Sequence, residues 1–486
     1  MQFRNFPDIL FVSVDTMRRD AMAPYGEDLM PTATRLLEEG VGFDACFAPS
    51  PWTAPSFGSV LTGLWPREHG CLENTPRRGA RPRRSPLPRS VAFLPQVLQD
   101  ARYQTVCIQG NVGYLGPEMG FTRAFDVWWA YVADEGGRLR KEKRALMAAG
   151  GCRYAAHIFS KMRWLLSSRL PERSVMQNGQ SLVSAALRAA GKSPQDRPLF
   201  LWINFMDMHT PYYPPLHWRP RPEAGNRTRP AHLMPQAYPR DRLSDADKRY
   251  VRRLYASAAR YVDSCLGKLL DGWRLAHRAR SRLTVFFSDH GEEFWEHGNY
   301  PMDPLYHTRG CDHGHTLFNE LVSVPLIFHW PEGGLKADRV GSLVSLVDVT
   351  PTLVDLLGLD RACGHFGGRS LVGHLSGASP GEHDGRVVFA DSLLFGPERQ
   401  AAISGTYKLI RFPKSGKTEL FAWGAGDPEE QHDLASRPAS APFVSNLSAA
   451  LNEWDATLQP SSGDQAYTPE DEARLTARLR NLGYVD

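Results

Sequence analysis

The chain predicts an α/β protein with a mostly parallel central sheet covered by helices on both faces, joined to a small C-terminal α+β subdomain. Three observations carry this prediction. From Ile9 to about Leu359, short apolar runs alternate with longer helix-permissive segments, the pattern of buried parallel strands and crossover helices. At 486 residues the chain exceeds the size at which a single core keeps growing. Beyond about Pro380 the texture changes to short strand-like pieces, ending in an Arg-rich helix near Glu470–Leu482. The expected division is a main domain over 1–375, with a basic insertion at about 130–180, and a subdomain over 376–486.

Strands are expected at Ile9–Val14, Thr105–Gln109, Leu199–Phe205, Leu283–Ser288 and Pro325–His329, each a short apolar run that stops at or near polar residues. Open α/β sheets bind ligands at the carboxyl ends of their strands. The residues to inspect are therefore Asp15, Asn111, Asp207 with His209, and Asp289 with His290. Ser345–Gly358 predicts a packing helix, with Pro351 near its first turn and Gly358 just past its end. Val387–Ala390 and Tyr407–Phe412 predict strands of the subdomain.

Composition narrows the classes. Hydrophobic residues at 42% and charged residues at 23% argue against a disordered or collagen-like chain. The longest apolar runs, such as Leu199–Met206 and Val324–Trp330, fall short of the roughly 20 residues that cross a bilayer, so no membrane span is expected. Met1–Pro7 leads directly into a strand-like run without signal-peptide zones, which places the expectation in the cytoplasm. The seven cysteines, at 46, 71, 107, 152, 265, 311 and 363, form no close metal-knuckle pair. They read as buried apolar fillers in a reducing compartment.

The net charge of +4 is small, and two segments hold the excess. Arg77, Arg78, Arg81, Arg83, Arg84 and Arg89 crowd a Pro-rich loop, and Arg138–Arg173 is a basic stretch that also carries Met162, Trp164, Leu165 and Leu166. Solvated surface accounts for both; the sharper reading is a patch for an anionic substrate, a lipid headgroup or peripheral membrane contact. Nucleic-acid binding is not expected, and nothing in the pattern sets an oligomeric state.

Asp15, Thr53, Asp289 and His290 are compatible with one metal centre. Each has a structural reading too. An aspartate that ends a strand caps helices, and a threonine before Ala-Pro-Ser is a normal helix start. The pair Asp289-His290 before Gly291 is harder to explain that way, since two metal-competent side chains end one buried strand.

DILFVSVDTMRRD at 8–20, PSPWTAPSFGSVLTG at 49–63, MDMHTPY at 206–212 and SDHGEEFWEHG at 288–298 resemble, in order and spacing, the successive motifs of sulfatases and their phosphohydrolase relatives in the alkaline phosphatase superfamily. HGHTLFNELVSVPLIF at 313–328, the Ser345–Gly358 stretch and the late DPEEQHDLA fall where such proteins have them, so the resemblance spans nearly the whole chain. It implies an alkaline-phosphatase-like fold and a metal-dependent ester hydrolase. Two departures qualify it. Sulfatases begin their C/S-x-P-S-R motif with a residue oxidised to formylglycine; here Thr53-Ala54-Pro55-Ser56-Phe57 has neither that residue nor the arginine. Thr16 stands where calcium-type sulfatases have a second aspartate. At the first departure the chain resembles phosphodiesterases and phosphoethanolamine transferases that use an unmodified metal-bound threonine.

The resemblance implies Thr53 as nucleophile and one divalent metal ion on Asp15, Thr53, Asp289 and His290. Mixed oxygen and nitrogen donors suit Mn²⁺ or Zn²⁺, with Mg²⁺ or Ca²⁺ as alternatives. His209, and His313 or His315, match family positions that contact the transferred group or leaving oxygen, with His209 the expected acid. Asn111 matches a group that binds a nonbridging oxygen. His297, His307 and Asp312 add polar density that loop polarity explains equally well. Phosphate-ester cleavage is the expected chemistry; a sulfatase without formylglycine, a phosphoryl transferase to a lipid or sugar, and a degenerate binding protein are the alternatives. A second metal would need another cluster; Asp207, His209 and His313 are the candidates, although Asp-x-His is not the spacing that two-metal relatives show.

Overall fold

The computed structural model describes residues 6–74, 83–130, 179–212, 214–221, 243–276, 280–298, 310–359, 364–377, 385–424, 426–461 and 468–481. Its centre is an eight-stranded sheet. The strands are β1 (Asp8–Val14), β2 (Val41–Phe47), β3 (Gln104–Gln109), β4 (Val127–Ala130), β5 (Leu199–Phe205), β6 (Arg282–Phe287), β7 (Leu326–His329) and β8 (Asp338–Ser345), in the spatial order β8-β2-β7-β6-β1-β5-β3-β4. All neighbours are parallel except β7, which runs against both β2 and β6.

The unbroken apolar run of β1 follows from burial on both faces. Its alternate side chains enter two separate cores. Ile9 and Phe11 pack with helix α2 (Thr53–Thr62) and with α3 (Leu94–Asp100) on one side. Leu10, Val12 and Val14 pack with α1 (Pro31–Glu39), α4 (Gly179–Lys192) and the long α5 (Asp245–Ala276) on the other. Truncating a fully buried ring such as Phe11 would cost about 3–5 kcal/mol.

A second, four-stranded antiparallel sheet follows: β9 (Val388–Ala390), β10 (Gln400–Ile403), β11 (Lys408–Arg411) and β12 (Thr418–Phe421). Leu447, Leu451 and Trp454 of a later helix, Ala441–Thr457, cover one face, packing with Ala402, Leu409 and Leu420. The other face meets Phe47, Leu317 and Leu321 near the strand ends of the main sheet. Among the described residues no helix is long and apolar enough to cross a membrane.

The five expected main strands are present within a residue or so of their expected limits. Ser345–Gly358 differs. Ser345 ends β8, a single turn follows at Leu346–Asp348, and helix occupies only Val349–Leu356. The break is held by Asp348, whose carboxylate accepts the Ser345 amide at 2.9 Å and two Arg386 bonds at 2.8 and 2.7 Å.

One arginine of the basic loop differs from a solvated or anion-binding residue, while Arg89 is exposed. Arg84 is buried and paired with Glu73 at 2.8 Å and Glu472 at 2.9 Å, so its charge is neutralised internally. Arg77, Arg78, Arg81 and the Arg138–Arg173 insertion lie outside the described residues, as do His307, Cys152 and Cys363. The other five cysteines are buried and unpaired.

Candidate active site

Parallel register brings the expected polar residues to one edge of the sheet. Val14 pairs with Phe205 and Ser13 with Phe287, so Asp15, Asp207 and Ser288 leave the sheet at nearly one level. Two hydroxyls lock the departing loops together. Ser288 Oγ lies 2.7 Å from the carbonyls of both Val14 and His290 and accepts the Met17 amide at 3.0 Å. Ser56, in the first turn of α2, donates to the Asp289 carbonyl at 2.6 Å, which ties Thr53's helix to the β6 loop.

Thr53 is the first residue of α2, after an extended Trp52 that supplies no side-chain cap. The Thr53 hydroxyl is therefore not spent on capping. Its Oγ1 lies 3.4 Å from His290 Nε2, and that nitrogen is 3.6 Å from Asp15 Oδ1 and 3.4 Å from Asp289 Oδ2. His290 Nδ1 donates to the Gly291 carbonyl at 2.9 Å. This bond sets the tautomer and leaves the Nε2 lone pair facing the two carboxylates.

Asp15, Asp289 and His290 are fully buried, and one donor atom from each fits within 4.8 Å of the others. Asp15 Oδ1 and both oxygens of Asp289 have no hydrogen-bond partner. Burial pushes the Asp15 carboxyl up to about 7 and Asp289 well above the carboxylate range, with the charge of Asp15 adding to the latter. Buried carboxylates left without donors are unfavourable unless a cation joins them. The donor set fits a divalent ion. Asp15 does not cap a helix either: its other oxygen accepts from Asn111 Nδ2 at 3.3 Å, and Asn111 Oδ1 in turn takes the Tyr114 amide at 3.0 Å.

Three further histidines were expected nearby, and the structure separates them. The His313 ring lies between the other two site imidazoles, 4.5 Å from His290 and 4.8 Å from His209, centre to centre. His209 Nδ1 donates to Thr210 O at 2.6 Å, and burial lowers its pKa to about 3, so the ring is neutral. His315 turns elsewhere, pairing with Glu293 at 2.7 Å. Asp207 accepts the Gly179 amide at 3.2 Å, at the start of α4; the groups assembled around His313 are instead Glu292 and Asp312.

Those two carboxylates are the site residues that sequence reasoning missed. His313 Nδ1 lies 3.0 Å from Asp312 Oδ1 and 3.4 Å from Glu292 Oε2, and the pair raises the imidazole well above its ordinary pKa. A short ribbon, Glu293–Phe294 against Cys311–Asp312, brings them together. Gly291 permits it: a Cβ there would meet the Glu320 carbonyl at 2.0 Å. The available signal was the EE doublet after Asp-His-Gly, whose period of two sends Glu292 and Glu293 to opposite sides of a strand.

At the two departures from the sulfatase pattern the structure shows what stands instead. Phe57 is buried with its ring 5.3 Å from Trp202 and 6.0 Å from Phe287, so packing occupies the arginine position. Thr16 sits at φ 59° with a buried hydroxyl that has no partner.

A doubly covered sheet whose strand ends converge on acidic and imidazole groups able to hold a metal, beside a hydroxyl at a helix N-terminus, is the architecture of a metal-assisted ester hydrolase. The sulfatase family model matches residues 7–359; the chain belongs to the sulfatase family, within the alkaline phosphatase superfamily, and is an ester hydrolase. A sulfatase of Formosa agariphila is 23% identical, covering 96% of this chain and 91% of the relative. Among solved structures, a phosphonate monoester hydrolase of Agrobacterium radiobacter aligns over 93% of this chain and 96% of its own, at 19% identity and TM-score 0.66. A structure in complex with its substrate D-glucosamine-2-N,6-O-disulfate aligns over 94% and 99%, at 17% identity and TM-score 0.67.

Proposed function

We propose that this chain cleaves a phosphate ester, monoester or diester, with Thr53 as nucleophile. One observation carries the reading: an uncapped threonine hydroxyl at a helix N-terminus, 3.4 Å from an imidazole that faces two carboxylates with unpartnered oxygens. Threonine cannot become formylglycine, so attack through its own hydroxyl is the chemistry this residue supports. A divalent ion, Mn²⁺ or Zn²⁺ by its mixed donors, would be held by Asp15, Asp289, His290 and Thr53; bound there, it lowers the hydroxyl pKa and offsets charge on the ester oxygens.

The chain's own groups do the rest. Thr53 would lose its proton to solvent in the metal-loaded site; Oγ1 then bonds to phosphorus as the bond to the leaving alcohol breaks. The free N–H groups at the start of α2 face the accumulating negative charge. The His313 edge away from Glu292 and Asp312 supplies the alcohol's proton from Nε2. His209 was expected as that acid. Its Nδ1 bond to Thr210 instead leaves Nε2 a proton acceptor, which suits it to take a proton from the water that then attacks phosphorus and returns Thr53 to its alcohol form.

The runner-up is a sulfuric ester hydrolase using the same threonine, supported by the family's name and the Formosa relative. A lipid or sugar alcohol in place of water would make a transferase. The five buried unpaired thiols support the cytoplasm as its location. The test is reconstitution of metal-free protein with Mn²⁺, Zn²⁺, Mg²⁺ or Ca²⁺, assayed on aryl phosphate monoesters, phosphodiesters, phosphonate esters and aryl sulfates beside Thr53→Ala. Phosphoester cleavage that Thr53→Ala lowers by at least about 1,000-fold is expected. Sulfate turnover alone would replace the reading with the runner-up.

A further inference from the structure

Beside Asp15, Asp289 and His290 lies a second buried donor set that the proposed chemistry leaves half explained. Glu292, Asp312 and His313 are all 5% exposed or less, and one donor atom from each fits within 4.8 Å of the others. The atom His313 offers is Nδ1, the nitrogen facing both carboxylates. One N–H is shared between two carboxylates: Nδ1 makes a long 3.4 Å hydrogen bond to Glu292 Oε2 and lies 3.0 Å from Asp312 Oδ1. Glu292 Oε1, fully buried, has no hydrogen-bond partner at all. The buried Tyr212 phenol lies against Glu292.

We propose that Glu292, Asp312 and His313 form a second divalent-cation site, so that the active site is built for two ions. Two carboxylate donors and one imidazole suit Zn²⁺ or Mn²⁺ rather than an oxygen-only ion. The ion takes the place of the proton on Nδ1. Nε2 keeps its N–H on the opposite edge of the ring, so His313 remains a hydrogen-bond donor there in either state. The rings of His290 and His313 lie 4.5 Å apart, tilted by 39°, so the two donor sets adjoin one another. The third cluster of this kind, Glu293, His297 and Glu320, does not qualify. Both nitrogens of His297 are committed as donors, Nδ1 to Glu320 at 2.8 Å and Nε2 to the Glu429 carbonyl at 3.0 Å, so no lone pair remains for an ion.

The inference rests on the first centre at Asp15, Asp289 and His290, and the experiment separates the two. The full chain is stripped with chelator, reloaded with Zn²⁺, desalted, and its metal counted per chain by mass spectrometry. Wild type is expected to hold two equivalents, and Asp289→Asn and Glu292→Gln one each. Crystals of the loaded wild type are expected to show two anomalous peaks, one bounded by Glu292, Asp312 and His313; this readout needs no variant to fold. A single equivalent that Asp289→Asn loses and Glu292→Gln keeps, or a single peak beside Asp15, overturns the second site and leaves the first standing. A single peak between Glu292, Asp312 and His313 retains the second site and removes the first. No bound Zn²⁺ overturns both.

Discussion

The charged group at the ends of the central strands and the one beneath the C-terminal sheet are equally shut away from water, but they are built on opposite rules. Around Lys408 and Glu430, both fully buried side chains, opposite charges meet: the ammonium lies 2.8 Å from Glu430 and donates to Leu317 O at 2.9 Å and Asn319 Oδ1 at 2.9 Å, while the other Glu430 oxygen takes the Asn319 amide at 2.7 Å. Around Asp15 and Asp289 no lysine or arginine of the described residues approaches, and three carboxylate oxygens have no donor. A buried carboxylate that faces a buried ammonium is a structural staple; a buried carboxylate pair without a lysine or arginine beside it is a place prepared for a ligand.

Breaking the staple should show the larger effect on stability. Lys408→Met leaves Glu430 buried without its cation, which should cost about 3–5 kcal/mol. Chemical denaturation measures it, and Lys408→Met combined with Glu430→Gln should recover most of the loss. A double variant no better than the single would mean that packing, not charge, holds this junction.

The active-site cluster should respond in the opposite direction. In metal-free protein, Asp289→Asn removes one of two adjacent carboxylates that share the His313 imidazole as their compensating charge, so the variant should be more stable than metal-free wild type by about 1–2 kcal/mol. Adding Zn²⁺ or Mn²⁺ at 100 times Kd should stabilise wild type by about 2.7 kcal/mol and the variant far less. Thermal melts with chelator and with metal check both. A metal-free variant that melts below metal-free wild type would place Asp289 among the staples.

The same contrast explains what could be read from the chain. Asp15, Asp289 and His290 were legible because each directly follows a buried apolar strand, and Thr53 because Ala-Pro-Ser after it starts a helix. Glu292 and Asp312 were not, because their burial depends on a ribbon between segments about 20 residues apart and on the close approach of Gly291 to Glu320. Asp312 alone reads as loop polarity. β2 hides because Asp44 interrupts it, β4 is a four-residue edge strand, and β8 opens with the exposed Asp338 and Arg339. Their strand character comes from pairing, which a local pattern does not carry.

The smallest effect belongs to a second staple, and its pH dependence sharpens the distinction. His297 stacks on Phe318 with ring centres 3.7 Å apart and donates to Glu320 and to the carbonyls of Glu429 and Glu430, joining the β6 loop to the C-terminal segment. Burial alone would lower its pKa, but the Glu320 hydrogen bond and charge, with Glu293 and Glu430 beyond, raise it from 6.5 to about 9. A histidine whose folded pKa is raised lends stability that is complete below its unfolded pKa and is lost as pH climbs through the folded one. Stability should therefore be level below about 6.5 and fall through about 9. Solvent screening at the loop edge reduces the expected amplitude to about 1 kcal/mol. Denaturation midpoints across this range measure the slope, and His297→Gln should flatten it. A slope that survives the substitution would assign the titration to another group and leave His297 as packing against Phe318.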